Sequence, residues 1–154
     1  MNILLTGGTG FLGSKIIDSS LFNNLYYPTR EEMDLTEMDS IKRFLMAKNI
    51  DVVITTGGTG LTGRDITPEA INEIADKHIP GFGEVFRTLS LKTVGTSAIQ
   101  SRACAVLANG KYVFALPGSS GGVTDAWDGI LKHQLDINHK PCNFVELFSR
   151  LKEK

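Results

Sequence analysis

Cysteine is scarce in this 154-residue chain, which holds only Cys104 and Cys142. The two lie far apart and form no C-x-x-C pair, which argues against a zinc cluster or a disulfide framework and agrees with a reducing compartment. A long apolar run is also missing. The N-terminus passes from Met1-Asn2-Ile3-Leu4-Leu5 straight into polar and glycine residues, too short a stretch for a signal peptide or a membrane span. A cytoplasmic protein with no membrane partner is the expectation. Nor does charge of one sign predominate: 16 Lys and Arg stand against 17 Asp and Glu, so nothing electrostatic favours nucleic acid as a partner. No linker or low-complexity tract divides the chain, so residues 1–154 are expected to form one domain, and a domain of this size buries roughly 68–70% of its unfolded surface.

What is present is an alternation of strand and helix signals. Ile3-Leu4-Leu5 is a short apolar run stopped by glycines, and Phe11, Leu12, Ile16, Ile17 and Leu21 then recur at helical spacing. Leu25-Tyr26-Tyr27 reads as a second strand. A second helix is expected near Thr36, with Thr36-x-x-Asp39 as its cap and Ile41, Phe44 and Leu45 on one face. Asp51-Val52-Val53-Ile54 has the β-branched, apolar character of a strand covered on both faces. The third helix is expected to take Thr67 as N-cap, Pro68 as its first residue and Glu69 against the helix dipole, with Ile71, Ile74 and Ala75 buried. Ala103 to Leu107 and Tyr112 to Leu116 flank Asn109-Gly110, a pair that tolerates positive φ and closes a hairpin. A helix from about Val123 to Leu135 and a short one around Phe144 to Leu151 complete the pattern. It predicts a three-layer α/β/α fold with a mostly parallel sheet and one β-hairpin.

One feature occurs twice. Thr6-Gly7-Gly8-Thr9-Gly10 and Thr56-Gly57-Gly58-Thr59-Gly60 each follow a strand and precede a helix, where glycine lets the backbone turn sharply and bring N–H groups close to an anion. Each is a candidate phosphate cradle. Each could equally hold glycines only for close loop packing.

The stretch from Asn2 to Gly13, with Gly7-x-x-Gly10-x-x-Gly13, resembles the Rossmann-like opening of an extended short-chain dehydrogenase/reductase, and the likeness continues through Arg30, Met33-Asp34-Leu35-Thr36 and Asp51 to Ile54. That resemblance implies NADP as cofactor, with Gly7, Gly10 and Gly13 at the pyrophosphate, Arg30 selecting the extra phosphate, and Asp34 and Leu35 near the adenine. The family's Tyr-x-x-x-Lys pair is absent, so reductase chemistry is not expected.

From Thr55 onward the chain resembles the MoaB/Mog family of molybdenum cofactor biosynthesis. The residues that carry this are Thr56 to Gly60 with Arg64-Asp65-Ile66-Thr67-Pro68-Glu69-Ala70, then Gly81-Phe82-Gly83-Glu84-Val85-Phe86-Arg87, Ser101-Arg102, Leu116-Pro117-Gly118-Ser119 and Pro141-Cys142-Asn143-Phe144. The resemblance implies binding of molybdopterin and transfer of AMP onto it from ATP with Mg²⁺. It places Gly57, Gly58, Thr59, Gly60, Pro117, Gly118 and Ser119 at the ligand, with Asp65 as the essential acid and metal ligand. It also implies a homo-oligomer, trimer or hexamer, with Phe82 to Arg102 at an interface. Because the two resemblances abut without a linker, the expectation is a recombined chain joined close to residue 55, with little or no activity as one outcome.

Chemistry supports these roles without deciding them all. Adenylyl transfer needs amide donors for phosphate and an oxygen ligand for Mg²⁺, which a glycine loop beside Asp65 supplies. Asp65 could instead serve the start of the next helix, and Thr67 stands at the same junction as a further candidate contact. Glu84 either lines the cleft or pairs with Arg87. Arg102 either grips a phosphate with two N–H groups or forms an interface salt bridge. Gly118-x-Ser120-x-Gly122 reads as an anion-binding turn rather than a hydrolase nucleophile elbow. His133, His139 and Cys142 match no familiar zinc spacing, and Trp127 reads as core packing.

Overall fold

Successive residues of a strand point to opposite faces of its sheet, and here both faces are apolar. In the computed structural model, which describes residues 1–19, 22–151 and 153, the strands are β1 (Ile3–Leu5), β2 (Leu25–Tyr26), β3 (Val52–Thr56), β4 (Lys77–His78), β5 (Cys104–Ala108) and β6 (Lys111–Leu116). They form one sheet in the order β2-β1-β3-β6-β5-β4, parallel from β2 to β6 and antiparallel across β5. Five of the six strands therefore run the same way.

The helices are α1 (Phe11–Ser19), α2 (Met38–Lys48), α3 (Thr67–Glu73), α4 (Pro80–Val94), α5 (Ser120–Ala126) and α6 (Lys132–Gln134). Ile3, Leu5, Val52, Ile54, Tyr112, Phe114 and Leu116 pack with Ile16 of α1, Phe82 and Phe86 of α4, and Val123 and Ala126 of α5. On the other face, Leu4, Met33 and Ile50 pack with Ile41, Phe44 and Leu45 of α2. Val106, Val113 and Ala115 meet Ile71 of α3 there. The three-layer arrangement thus follows from strand alternation. The chain leaves β1 outward to β2 and returns past β1 to β3, and that reversal puts α1 and α2 on opposite faces. It also makes the carboxyl ends of β1 and β3 the point where strand order switches, the usual location of a ligand crevice in such sheets.

The hairpin is formed as the sequence predicts, with Asn109 at φ 49° and Gly110 at φ 70°. Other expectations are corrected. Thr36 does not cap α2; its amide and hydroxyl both donate to Asp34, and the helix begins after Glu37. Thr67 is the first residue of α3 rather than its N-cap, a place held by Ile66 without a side-chain bond. Ile74 is 58% exposed, since α3 ends at Glu73 before the apolar stripe closes. α4, the 15-residue helix Pro80–Val94, is not legible as a helix because Gly81 and Gly83 depress local propensity. It is followed by a 3₁₀ segment, Gly95–Gln100. A π-helical turn, Trp127–Leu131, links α5 to α6, and Val145–Arg150 is 3₁₀ helix. Trp127 is buried and meets Phe22 edge to face at 5.9 Å. Leu21, which helical spacing adds to α1, lies outside the described residues. Among the described residues no helix is long and apolar enough to cross a membrane.

Candidate functional site

Loops from the carboxyl ends of β3 and β6 face each other across a cavity of about 560 Å³. One wall is Gly58, Thr59, Gly60 and Asp65; another is Pro117, Gly118 and Ser119; α4 and the 3₁₀ segment complete it with Phe86, Ser90, Val94, Ser97, Gln100 and Ser101. The glycines here have distinct physical reasons. Gly57 and Gly58 adopt φ 94° and 68°, in the left-handed region. A Cβ on Gly58 would lie 2.3 Å from Thr67 Oγ1, and one on Gly118 would lie 3.2 Å from Gly57 Cα. The two loops therefore approach each other closely through backbone at Gly57 and Gly118.

Hydrogen bonds fix the turn from outside. The Gly57 amide donates to the Leu116 carbonyl at 2.9 Å, extending the β3–β6 pairing. Thr67 closes the other end: its amide donates to the Gly58 carbonyl at 3.1 Å, and its hydroxyl to the Gly57 carbonyl. Among the described residues, the amides of Gly58 and Thr59 have no protein acceptor, although Thr59 is buried. Both residues line the cavity, and N–H groups without a protein partner are the kind of donor an anion accepts from.

Asp65 lies beside this turn. Its Oδ2 accepts from the Thr62 amide at 2.9 Å and from the Thr62 hydroxyl at 2.5 Å, and these bonds hold its carboxyl below the usual range. Gly60 sits directly against it, where a Cβ would approach Oδ2 to 2.8 Å. Asp65 thus serves the local turn and still borders the cavity as a charged carboxylate.

The remaining expected site residues divide. Gly58, Thr59, Gly60, Asp65, Pro117, Gly118 and Ser119 converge on the cavity as expected, and Gly57 supports them from the loop contact. Ser119 also caps α5, its Oγ accepting from the Gly122 amide at 3.2 Å. Thr67 stands behind the loop rather than in the cavity. Glu84 lies on the far side of α4, bordering a different cavity with Arg87 and Cys104, and among the described residues no ion pair joins it to Arg87. Arg102 lines that other cavity too. Its Nε donates to the Gly60 carbonyl at 2.7 Å, Nη2 to the Asp65 carbonyl and Nη1 to the Glu69 carboxylate. Three of the five N–H groups of Arg102 are thus held by protein acceptors, among them a salt bridge within the chain to Glu69. Ser90, Ser97 and Gln100 carry no sequence signal: Ser90 reaches the cavity from α4, and Ser97 and Gln100 reach it after the chain turns at Gly95, φ 61°.

Residues 34–136 match the family described as "Probable molybdopterin binding domain". The chain belongs to the MoaB/Mog family of molybdenum cofactor biosynthesis proteins. It is 39% identical over 132 residues to molybdenum cofactor biosynthesis protein B of Escherichia coli strain K12, covering 86% of this chain and 73% of that one. The crystal structure of the tungsten cofactor synthesizing protein MoaB from Pyrococcus furiosus is similar with TM-score 0.64 at 34% identity, over 84% of this chain and 88% of that one. A crystal structure of molybdenum cofactor biosynthesis protein B gives TM-score 0.68 at 29% identity, over 99% and 95%.

These likenesses give the recombined chain no support. Membership of the MoaB/Mog family extends from residue 34 without a break at residue 55, and one family structure matches nearly the whole length. The likeness of the first fifty residues to a reductase is thereby unsupported. Packing accounts for its glycines: a Cβ on Gly13 would lie 2.3 Å from Gly8 Cα, one on Gly8 2.3 Å from Tyr27 Cβ, and the Gly10 amide closes a turn onto the Gly7 carbonyl. Gly7, Arg30 and Asp34 do border a cavity of about 300 Å³. The oxygens of Asp34 accept from Thr36 and Arg30 beside it.

Proposed function

We propose that the protein binds molybdopterin with its terminal phosphate against the Gly58–Gly60 turn, and that it transfers AMP from ATP to that phosphate. The observation that carries this is the pair of unsatisfied amides at Gly58 and Thr59 in a cavity that Asp65 also borders. Amides aimed at a phosphate require no reorganisation as charge develops, which is how such donors lower a barrier.

In the transfer, an oxygen of the pterin phosphate forms a bond to the α-phosphorus of ATP, the bond from that phosphorus to the bridging oxygen breaks, and pyrophosphate leaves. Positioning is most of the catalytic task in such reactions. Gly58 and Thr59 hold the accepting phosphate, Gly118 and Ser119 form the facing wall, and Thr62 keeps Asp65 ionised. Among the described residues no group of three or more His, Cys, Asp and Glu could hold a metal. A single carboxylate nevertheless suits Mg²⁺, which takes one or two protein carboxylates and fills its shell with phosphate oxygens and water. Asp65 would hold it there, and the ion supplies neutralisation of phosphate charge. An assay with purified protein, molybdopterin and Mg-ATP tests the proposal: adenylated pterin and pyrophosphate should form together. Pterin binding without pyrophosphate release would make the protein a carrier, and absence of pterin binding by calorimetry would end the proposal altogether.

A further inference from the structure

We infer that Arg102 is a positioning residue, held by Glu69 and Arg87, that fixes the backbone between Gly60 and Asp65 and so sets where the Asp65 carboxylate stands. This deepens the role of Asp65 in the proposed adenylyl transfer and rests on that reading for its catalytic consequence, although its structural part stands alone.

The backbone amide of Arg102 donates to the Thr59 carbonyl at 2.9 Å, while its guanidinium reaches the carbonyls of Gly60 and Asp65. Those two carbonyls bracket an exposed excursion, Leu61 to Arg64, and the planar fork spans its base. The third donor meets Glu69 on α3, so one side chain ties the loop to the helix that follows it. Glu69 is depressed below the usual carboxylate range chiefly by this bond. With side chains 31% and 56% exposed, the pair contributes little stability as an ion pair. What it contributes is direction.

A second arginine holds the first. Arg87 Nη1 lies 3.4 Å from the Ser101 carbonyl and 3.5 Å from the Ala103 carbonyl, on either side of residue 102. Gly83 lets this happen, since a Cβ there would lie 2.7 Å from the Ala103 oxygen and 3.0 Å from Arg87 Nη1. Contacts therefore run from α4 through Arg87 to the start of β5, then through Arg102 to the Asp65 loop. An ammonium cannot replace this fork, because one point charge on a flexible stem does not reach three separated acceptors at once.

The test is hydrogen–deuterium exchange of the full-length chain with Arg102→Lys and Glu69→Gln, read on peptides covering residues 58–66, beside adenylation kinetics. Arg102→Lys should speed exchange there by about tenfold or more while distant peptides keep their wild-type rates. Glu69→Gln should loosen the same peptides to a smaller degree. In turnover, Arg102→Lys should lower kcat by about tenfold or more and change the KM for molybdopterin by less than about threefold. Guanidinium ion added to Arg102→Gly should restore part of the rate, and should not help Arg102→Lys. Unchanged exchange at residues 58–66 in Arg102→Lys overturns the inference, as does a raised KM with kcat intact, which would mark direct contact with the pterin. If the wild-type chain proves not to adenylate, the exchange measurement still decides whether Arg102 positions the loop, so the two readings fail separately.

Discussion

The hydroxyl of Thr67 donates to the carbonyl oxygen of Gly57 at 3.0 Å, so the first residue of α3 holds the glycine turn that precedes it in sequence. Thr67→Val keeps the shape and removes the bond. Loss of one such bond costs about 0.5–1.5 kcal/mol, and molybdopterin affinity should fall as the turn loosens, while Thr67→Ser should retain both. Urea unfolding and calorimetric titration measure the two effects, and wild-type affinity in the valine variant would show that the turn keeps its shape without Thr67.

Gly58 should tolerate no side chain. Its φ of 68° and the 2.3 Å approach of an added Cβ to Thr67 Oγ1 make Gly58→Ala destabilising by about 1–3 kcal/mol. Gly63, in the exposed excursion that follows, has nothing within 4 Å of such a Cβ, and Gly63→Ala should leave stability within about 0.5 kcal/mol of wild type. Equal unfolding midpoints for the two variants would contradict this account of the loop.

Asp65→Asn keeps an oxygen for the Thr62 hydroxyl and amide but loses the charge. The adenylation rate should drop on the order of 10²-fold with little change in unfolding midpoint. Because Thr62 holds the carboxyl below its ordinary value, wild-type activity should show no loss from protonation of Asp65 near neutral pH. An Asn variant with full activity would remove Asp65 from the chemistry.

Asp34 gives a pH signature of its own. Bonds from Thr36, assisted by Arg30, lower its carboxyl from 3.8 to about 2. A folded-state value below the unfolded one contributes stability that is present above about pH 4 and is lost as pH falls through about 2. Wild type and Asp34→Asn should therefore differ in melting temperature at pH 5 and converge toward pH 2. Parallel melting curves across that window would place the pH dependence elsewhere.

Strand positions and the hairpin could be read from the sequence because they rest on local signals: β-branched runs at Val52 to Ile54, and Asn109-Gly110 between apolar segments. The loop glycines were equally legible. Their meanings were not, since one motif written twice does two different things. At Gly8 it accommodates close packing against Tyr27, whereas at Gly58 it combines positive φ with a place in the lining of a cavity. Arg102 leaves two roles open for a related reason: sequence shows a guanidinium beside a phosphate motif but not the three acceptors that it meets. Ser90 and Ser97 gave no signal, as their meeting depends on how α4 turns into the 3₁₀ segment.

The reversed direction of β5 has a practical consequence. Because it runs against its neighbours, the segment leading into it, with Ser101, lies at the pole of the glycine-loop cavity, and the Asn109–Gly110 turn caps the opposite one. Five residues of strand at about 3.3 Å each separate the poles by about 16 Å. A reporter peptide grafted between Asn109 and Gly110 would therefore ride on the protein while leaving that cavity unobstructed.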